Sequence, residues 1–172
     1  MKPHYRNILF PGILLIAGIA ILSCNNDDNE RDMTPPTITD KGLAAANPIN
    51  CQVYHRGDTI PFIYCFEDNQ ELGNFNIEVH NNFDHHTHST EADDHDHDGS
   101  ECEDHHEHNG GELIMWLYNN SFQIPAGQTH FVARQDIPVP KDIEPGLYHF
   151  MIRLTDKAGW QALKGIAIVV EE

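Results

Sequence analysis

The chain has 172 residues, with 10 Lys and Arg against 27 Asp and Glu, a formal net charge of −17 and 13 His. This length accommodates one domain of ordinary size with a short tail. The excess of acids argues against DNA and RNA as partners, because nucleic-acid binding needs a basic face that displaces counterions from phosphates.

Residues 1–23 have the composition of a secretory signal. Lys2 and Arg6 precede an apolar run at 8–22, which is shorter than the ~20 residues that a helix needs to cross a bilayer. The sequence ILSC that ends at Cys24 resembles a bacterial lipobox, which predicts cleavage before this cysteine and its lipidation. Cleavage leaves eight Lys and Arg against 27 acids, a net charge of −19.

Residues 24–36 are polar, lack apolar periodicity and are predicted to form a flexible tether between the lipid and the domain. An Asp directly after the lipidated cysteine would resemble an inner-membrane retention signal, and this chain has Asn25 at that position. We therefore expect an outer-membrane lipoprotein, facing either the cell surface or the periplasm.

The pattern from Thr37 onward predicts an all-β domain over 37–172, interrupted at 84–111. Runs rich in β-branched and aromatic residues alternate with Gly, Pro, Asn and Asp, and no helical period is sustained. Without the insertion, the length fits an immunoglobulin-like antiparallel β-sandwich of about seven strands, with a small barrel as the alternative. We predict strands at 59–66, 73–81, 112–118, 129–139, 146–155 and 160–170.

The insertion is the chemically distinctive part of the chain. Residues 84–108 contain eight His, ten acids and no Lys or Arg. The insertion has no large apolar residue to anchor it, so we expect a long disordered loop when no ligand is bound. Imidazole and carboxylate groups in this density are typical ligands of zinc, nickel and copper. The candidate donors are Asp84, His85, His86, His88, His95, His97, Cys102, His105, His106 and His108.

Calcium is the alternative ion within the insertion. Asp94, Asp96, Asp98 and Gly99 match the first half of an EF-hand loop. His105 occupies the twelfth position instead of the bidentate Glu, and no helical pattern flanks the segment. A true EF-hand is therefore not expected, and a looser calcium site stays an alternative to zinc.

A better-ordered metal site is predicted at the base of the insertion. In an immunoglobulin-like sandwich, the strands 73–81 and 146–155 are antiparallel neighbours, and alternation turns His80 and His149 to the same outer face. Asp84, His86 and His88 follow in the chain and could complete the ligand set. The alternative is a pair of adjacent surface histidines that binds no metal.

Three cysteines follow Cys24, which is an odd number for an oxidising compartment. Cys51 and Cys65 lie on candidate neighbouring strands and are the candidate disulfide. Cys102 would then be a free thiol among histidines, which favours a role as a metal ligand.

Three segments of the sequence resemble a known family. The sequence HNNFDHHTH at 80–88 and the sequences PGLYHF at 145–150 and TDKAG at 155–159 are similar to the uncharacterised bacterial lipoproteins called domain of unknown function 4625. The similarity covers 35–171, although that family usually has a glycine where this chain has His85. The resemblance implies an Ig-like sandwich and a lipoprotein location, and it assigns no activity.

The sequence contains no nucleophile-elbow, zinc-hydrolase or phosphate-loop motif, so we do not expect an enzyme. We predict a metal-binding lipoprotein that acts in metal capture, buffering or delivery. The alternative is an adhesion module that recognises a glycan or a protein through exposed aromatics, for which Trp116, Tyr118 and Trp160 are candidates.

Overall fold

The computed structural model describes residues 31–82, 102 and 113–172. Within these ranges the chain forms eight strands, and it has no helix of the length and apolar character that a membrane span requires. The strands are β1 (Thr37–Thr39), β2 (Gln52–His55), β3 (Thr59–Glu67), β4 (Leu72–Asn81), β5 (Tyr118–Gln123), β6 (His130–Pro138), β7 (Gly146–Asp156) and β8 (Gln161–Glu171).

The strands form two sheets, and the predicted β-sandwich is confirmed. One sheet has the order β1-β3-β6, and the other has the order β2-β8-β7-β4-β5. The larger sheet is mixed instead of purely antiparallel, because β2 pairs in parallel with β8 at its edge. The sequence pattern missed β1 and β2 because they have only three and four residues, too few for an alternating pattern to be recognised.

The core fills the space between the two sheets. Alternate side chains of β4 and β7 are fully or almost fully buried, as the period-2 pattern of these segments predicts. Phe62 of the smaller sheet stacks on Phe75 and Phe150 of the larger one, with ring centroids 6.1 and 5.9 Å apart. Each such buried side chain stabilises the fold by roughly 1.5–3 kcal/mol, so this aromatic contact fixes the sheets against each other.

The strand predicted at 112–118 is wrong. Residues 113–117 form no strand, and β5 begins at Tyr118. Trp116 is buried against Tyr148, whereas Ile114 and Leu117 are exposed. β5 is an edge strand of mostly polar residues, defined by its backbone pairing with β4 and not by an apolar alternation.

Gly73 lies at a shift in register between β4 and β7. A Cβ atom at this position would lie 2.8 Å from the Thr155 carbonyl oxygen and 2.9 Å from that of Asp156. We therefore expect Gly73→Ala to lower the free energy of unfolding by about 1–3 kcal/mol, measured by urea denaturation. Asn74→Ala, at a half-buried position of the same strand, is the control, and an equal loss in both variants would contradict the steric explanation.

Candidate functional site

His80 and His149 lie directly opposite each other on neighbouring strands. The antiparallel register of β4 and β7 pairs these two residues, as the sequence predicts. Their ring centroids are 5.4 Å apart and their planes are inclined by 51°. The structure thus brings together two imidazoles that are 69 positions apart in the sequence.

Both rings lie on the outer face of the larger sheet, because their neighbours Val79 and Phe150 are fully buried in the core. His149 is nevertheless buried, and His80 is half-buried. Oε1 of Glu78 lies 3.2 Å from Nδ1 of His80. A carboxylate at one ring nitrogen orients an imidazole that binds metal through its other nitrogen, and it raises the basicity of the ring.

The spacing of the two rings suits a shared metal ion. A tetrahedral zinc with Zn–N bonds of about 2.0–2.1 Å holds two imidazole centroids about 5 Å apart. The observed centroid separation of 5.4 Å is close to this value. Two histidines are half of a four-coordinate site, so further ligands must come from elsewhere.

Most of the predicted further ligands lie outside the described residues. This applies to the proposed completing ligands, to the other histidines of the insertion, to the EF-hand-like segment, to the lipidation site and to the predicted disorder of the loop. The residues concerned are Asp84, His85, His86, His88, Asp94, His95, Asp96, His97, Asp98, Gly99, His105, His106, His108 and Cys24.

Cys102 forms a disulfide with Cys51, with their Cα atoms 5.1 Å apart. The predicted pairing of Cys51 with Cys65 is therefore wrong, and Cys102 is not a free thiol that could ligate a metal. The backbone nitrogen of Cys51 donates to the Ala167 carbonyl of the larger sheet, whereas Cys65 belongs to β3 of the smaller sheet. Cys51 thus lies beside the larger sheet and Cys65 lies on the smaller one. Their spacing of fourteen residues in the sequence does not reveal this separation.

The disulfide lies close to the histidine pair. Cys102 packs with Leu147 and Val169 in a small apolar cluster on the outer face. The backbone nitrogen of Asn82 donates to the Leu147 carbonyl at 2.8 Å. Asn82 and Cys102 therefore both contact Leu147, two positions before His149. The sequence signal for this contact is the single cysteine inside the insertion, and the surrounding histidines favour the different prediction of a metal ligand.

A second group of metal-type ligands lies on the smaller sheet. Cys65, Glu67 and His130 each offer one ligand atom within 4.8 Å of the others, and Sγ of Cys65 lies 3.1 Å from Nε2 of His130. Burial raises the pKa of the Cys65 thiol, and the charge of Glu67 raises it further. A metal would have to displace the thiol proton, so this group is a weaker neutral-pH site than the histidine pair.

The aromatic residues suggested for glycan or protein recognition are not equally exposed. Trp116 is a core residue, and Tyr118 is half-buried against it. Trp160 is 37% exposed, and its Nε1 donates to the Asp32 carbonyl at 2.9 Å. The sheet therefore uses two of these three side chains for packing.

A family model described as Domain of unknown function (DUF4625) matches residues 22–171. The chain belongs to the DUF4625 family. The match covers every described strand and confirms the resemblance seen at 80–88, 145–150 and 155–159. Among curated proteins, none matches the chain with significant similarity. The DUF4625 family carries no assigned activity, so the function has to be argued from the residues themselves.

Proposed function

We propose that this protein is an outer-membrane lipoprotein whose DUF4625 domain binds a divalent transition metal for capture, buffering or delivery. Zinc is the metal that we favour, and nickel and copper share its preference for imidazole. The observation that carries the proposal is the cross-strand pair of His80 and His149, with ring centroids 5.4 Å apart. We propose binding and no catalysis.

The position of the pair in the chain supports this function. Asn81 is the last residue of β4, so the histidine-rich insertion, which starts at Asp84, begins four residues after His80. The two strands hold the imidazoles in place, and the sequence of the insertion offers further His and Asp donors. The ten acids of 84–108 also attract cations to this end of the sheet.

The proposed location rests on the lipobox-like sequence and on cysteine chemistry. Cys24 is the residue that we propose is lipidated, and the polar segment up to residue 36 would connect the lipid to the sandwich. The disulfide between Cys51 and Cys102 supports export, because structural disulfides persist in oxidising compartments.

Calorimetric titration of the untagged lipoprotein in detergent tests the proposal. We expect saturable zinc binding with a micromolar or tighter Kd at about pH 7.5, weakening as the pH falls below the imidazole reference pKa of about 6.5. Zinc binding weakens at low pH because protons compete with zinc for the imidazoles, and each ligating imidazole has to lose its proton before it binds the metal. The absence of heat with zinc, nickel and copper would contradict the proposal.

A further inference from the structure

Three aspartates from distant parts of the sequence meet away from the histidine pair. Asp32 precedes β1, Asp68 follows β3 and Asp156 ends β7. Each offers one carboxylate oxygen within 4.8 Å of the others. Asp32 and Asp156 are only 6% and 4% exposed. Within the described part of the chain, none of the three forms an ion pair with a basic side chain.

The carboxylate of Asp156 has one oxygen bonded and one oxygen without a partner. Its Oδ1 accepts hydrogen bonds from the backbone nitrogens of Gly159 and Trp160, at 2.6 and 2.8 Å. Its Oδ2 is buried and has no hydrogen-bond partner among the described residues. Gly159 allows the turn because its φ is +97°, in the left-handed region that favours glycine. The TDKAG motif therefore fixes the carboxylate and leaves Oδ2 for another ligand.

The other two aspartates are held in a similar way. Oδ2 of Asp68 accepts from the backbone nitrogen of Gln70 at 2.9 Å, while its Oδ1 is buried with no partner in the described ranges. Oδ1 of Asp32 accepts from the Thr34 backbone nitrogen and from Nδ2 of Asn69, both at 3.0 Å. These bonds orient the carboxylates and do not neutralise them.

A bound cation would offset two unfavourable interactions among these carboxylates. A buried carboxylate oxygen without a hydrogen-bond partner is unfavourable, and neighbouring carboxylates repel one another. Ca²⁺ binds oxygen ligands at about 2.3–2.6 Å, so two ligands of one ion lie no more than about 5 Å apart. The limit of 4.8 Å among these oxygens meets this condition. Oxygen-only ligands favour a hard cation, and Ca²⁺ tolerates irregular geometry better than Mg²⁺ does.

We propose that Asp32, Asp68 and Asp156 bind one Ca²⁺ ion. Asp32 lies in the segment that leads into β1, and its carbonyl accepts the Trp160 indole hydrogen bond. The ion would therefore fasten this incoming segment to the turns that follow β3 and β7. The site uses different residues and a different class of cation from the proposed zinc site.

Terbium luminescence tests the site on the full lipoprotein in detergent after treatment with a chelator. Tb³⁺ replaces Ca²⁺ at oxygen sites and emits when an excited indole lies nearby, which Trp160 supplies. We expect saturable sensitised emission that Ca²⁺ displaces, with a calcium Kd of about 1 mM or tighter, the range of extracellular modules. Asp68→Asn and Asp156→Asn should each weaken Ca²⁺ binding at least about tenfold, since each removes a charged ligand. Asp136→Asn, at an exposed position of β6, should leave it unchanged.

Thermal unfolding provides the second measurement. Ca²⁺ should raise the Tm of the wild type and of Asp136→Asn more than that of Asp68→Asn, because stabilisation by a ligand that binds the native state falls as its Kd rises. Asp68→Asn retains an oxygen that can accept from Gln70, so it keeps the test valid even if Asp156→Asn fails to fold.

No change in the Tm of the wild type up to about 10 mM Ca²⁺, well above the expected calcium Kd, would overturn the proposal. Terbium binding that is unaltered in both aspartate variants would also overturn it, by assigning the ion to another site. Zinc binding by Asp68→Asn should match the wild type, so the two proposals fail independently.

Discussion

A variant that combines His80→Ala with His149→Ala is expected to lose the tightest zinc-binding event of the protein. The two strands hold these imidazoles opposite each other and outside the hydrophobic core, so the double substitution removes two of the four ligands of the proposed site. Loss of groups that merely support a ligand costs about 10–100-fold in metal affinity. We therefore expect the Kd of the tight event to rise at least about 100-fold when both ligands are absent, measured by zinc calorimetry.

Two controls distinguish the strand pair from the other candidate ligands. His55→Ala combined with His130→Ala removes two exposed histidines, one of them beside Cys65, and should leave the tight event intact. Deletion of residues 89–101 removes part of the insertion while retaining His86, His88 and the Cys102 disulfide. If that deletion abolishes all zinc binding, the strand pair is not the tight site. If the His55 and His130 variant loses the tight event, the tight site depends on one of these two exposed histidines and not on the strand pair.

Removal of the disulfide is expected to have the largest effect on stability. The bond links residues 51 positions apart, and loss of a cross-link of this length costs about 2–4 kcal/mol in the free energy of unfolding. Cys51→Ser and Cys102→Ser should give similar losses, because each breaks the same bond. Urea denaturation with and without dithiothreitol measures the effect, and the reductant should destabilise the wild type but neither variant.

The variant Cys65→Ala distinguishes the Cys51–Cys102 disulfide from the pairing of Cys51 with Cys65 that the sequence favoured. Cys65 is the free buried cysteine of the described residues, so its removal should leave the response to dithiothreitol intact. A variant that no longer responds to the reductant would contradict the Cys51–Cys102 bond. A peptide in which Cys51 is joined to Cys65 would contradict it as well.

The sequence predicted both a strand and the direction of its side chains where the residues alternate with a two-residue period. In the segments 73–81 and 146–155, inward and outward residues alternate. This alternation predicted the two strands, the faces of their side chains and the position of His80 opposite His149. β5 escaped prediction because polar residues form it at the sheet edge, where pairing and not burial decides. The apolar run before it was misread because Trp116 enters the core from a segment that is not a strand.

The contacts that the sequence did not predict depend on how distant segments meet. Cys51 and Cys102 become neighbours because Cys51 lies beside Ala167 and Cys102 packs on Leu147 of the adjacent strand. Asp32, Asp68 and Asp156 are each ordinary residues of turns or linkers in the sequence. Their convergence requires the sandwich to bring the ends of β3 and β7 together with the segment before β1.

The metal content of the native protein tests the central proposal most directly. The measurement is elemental analysis of the lipoprotein purified from its own cells without a histidine tag and without chelators, beside the His80→Ala, His149→Ala variant prepared in the same way. We predict at least one zinc per wild-type chain and a clearly lower content in the variant. A wild-type protein that contains no zinc, nickel or copper, or equal metal contents in the two proteins, would contradict the proposed site.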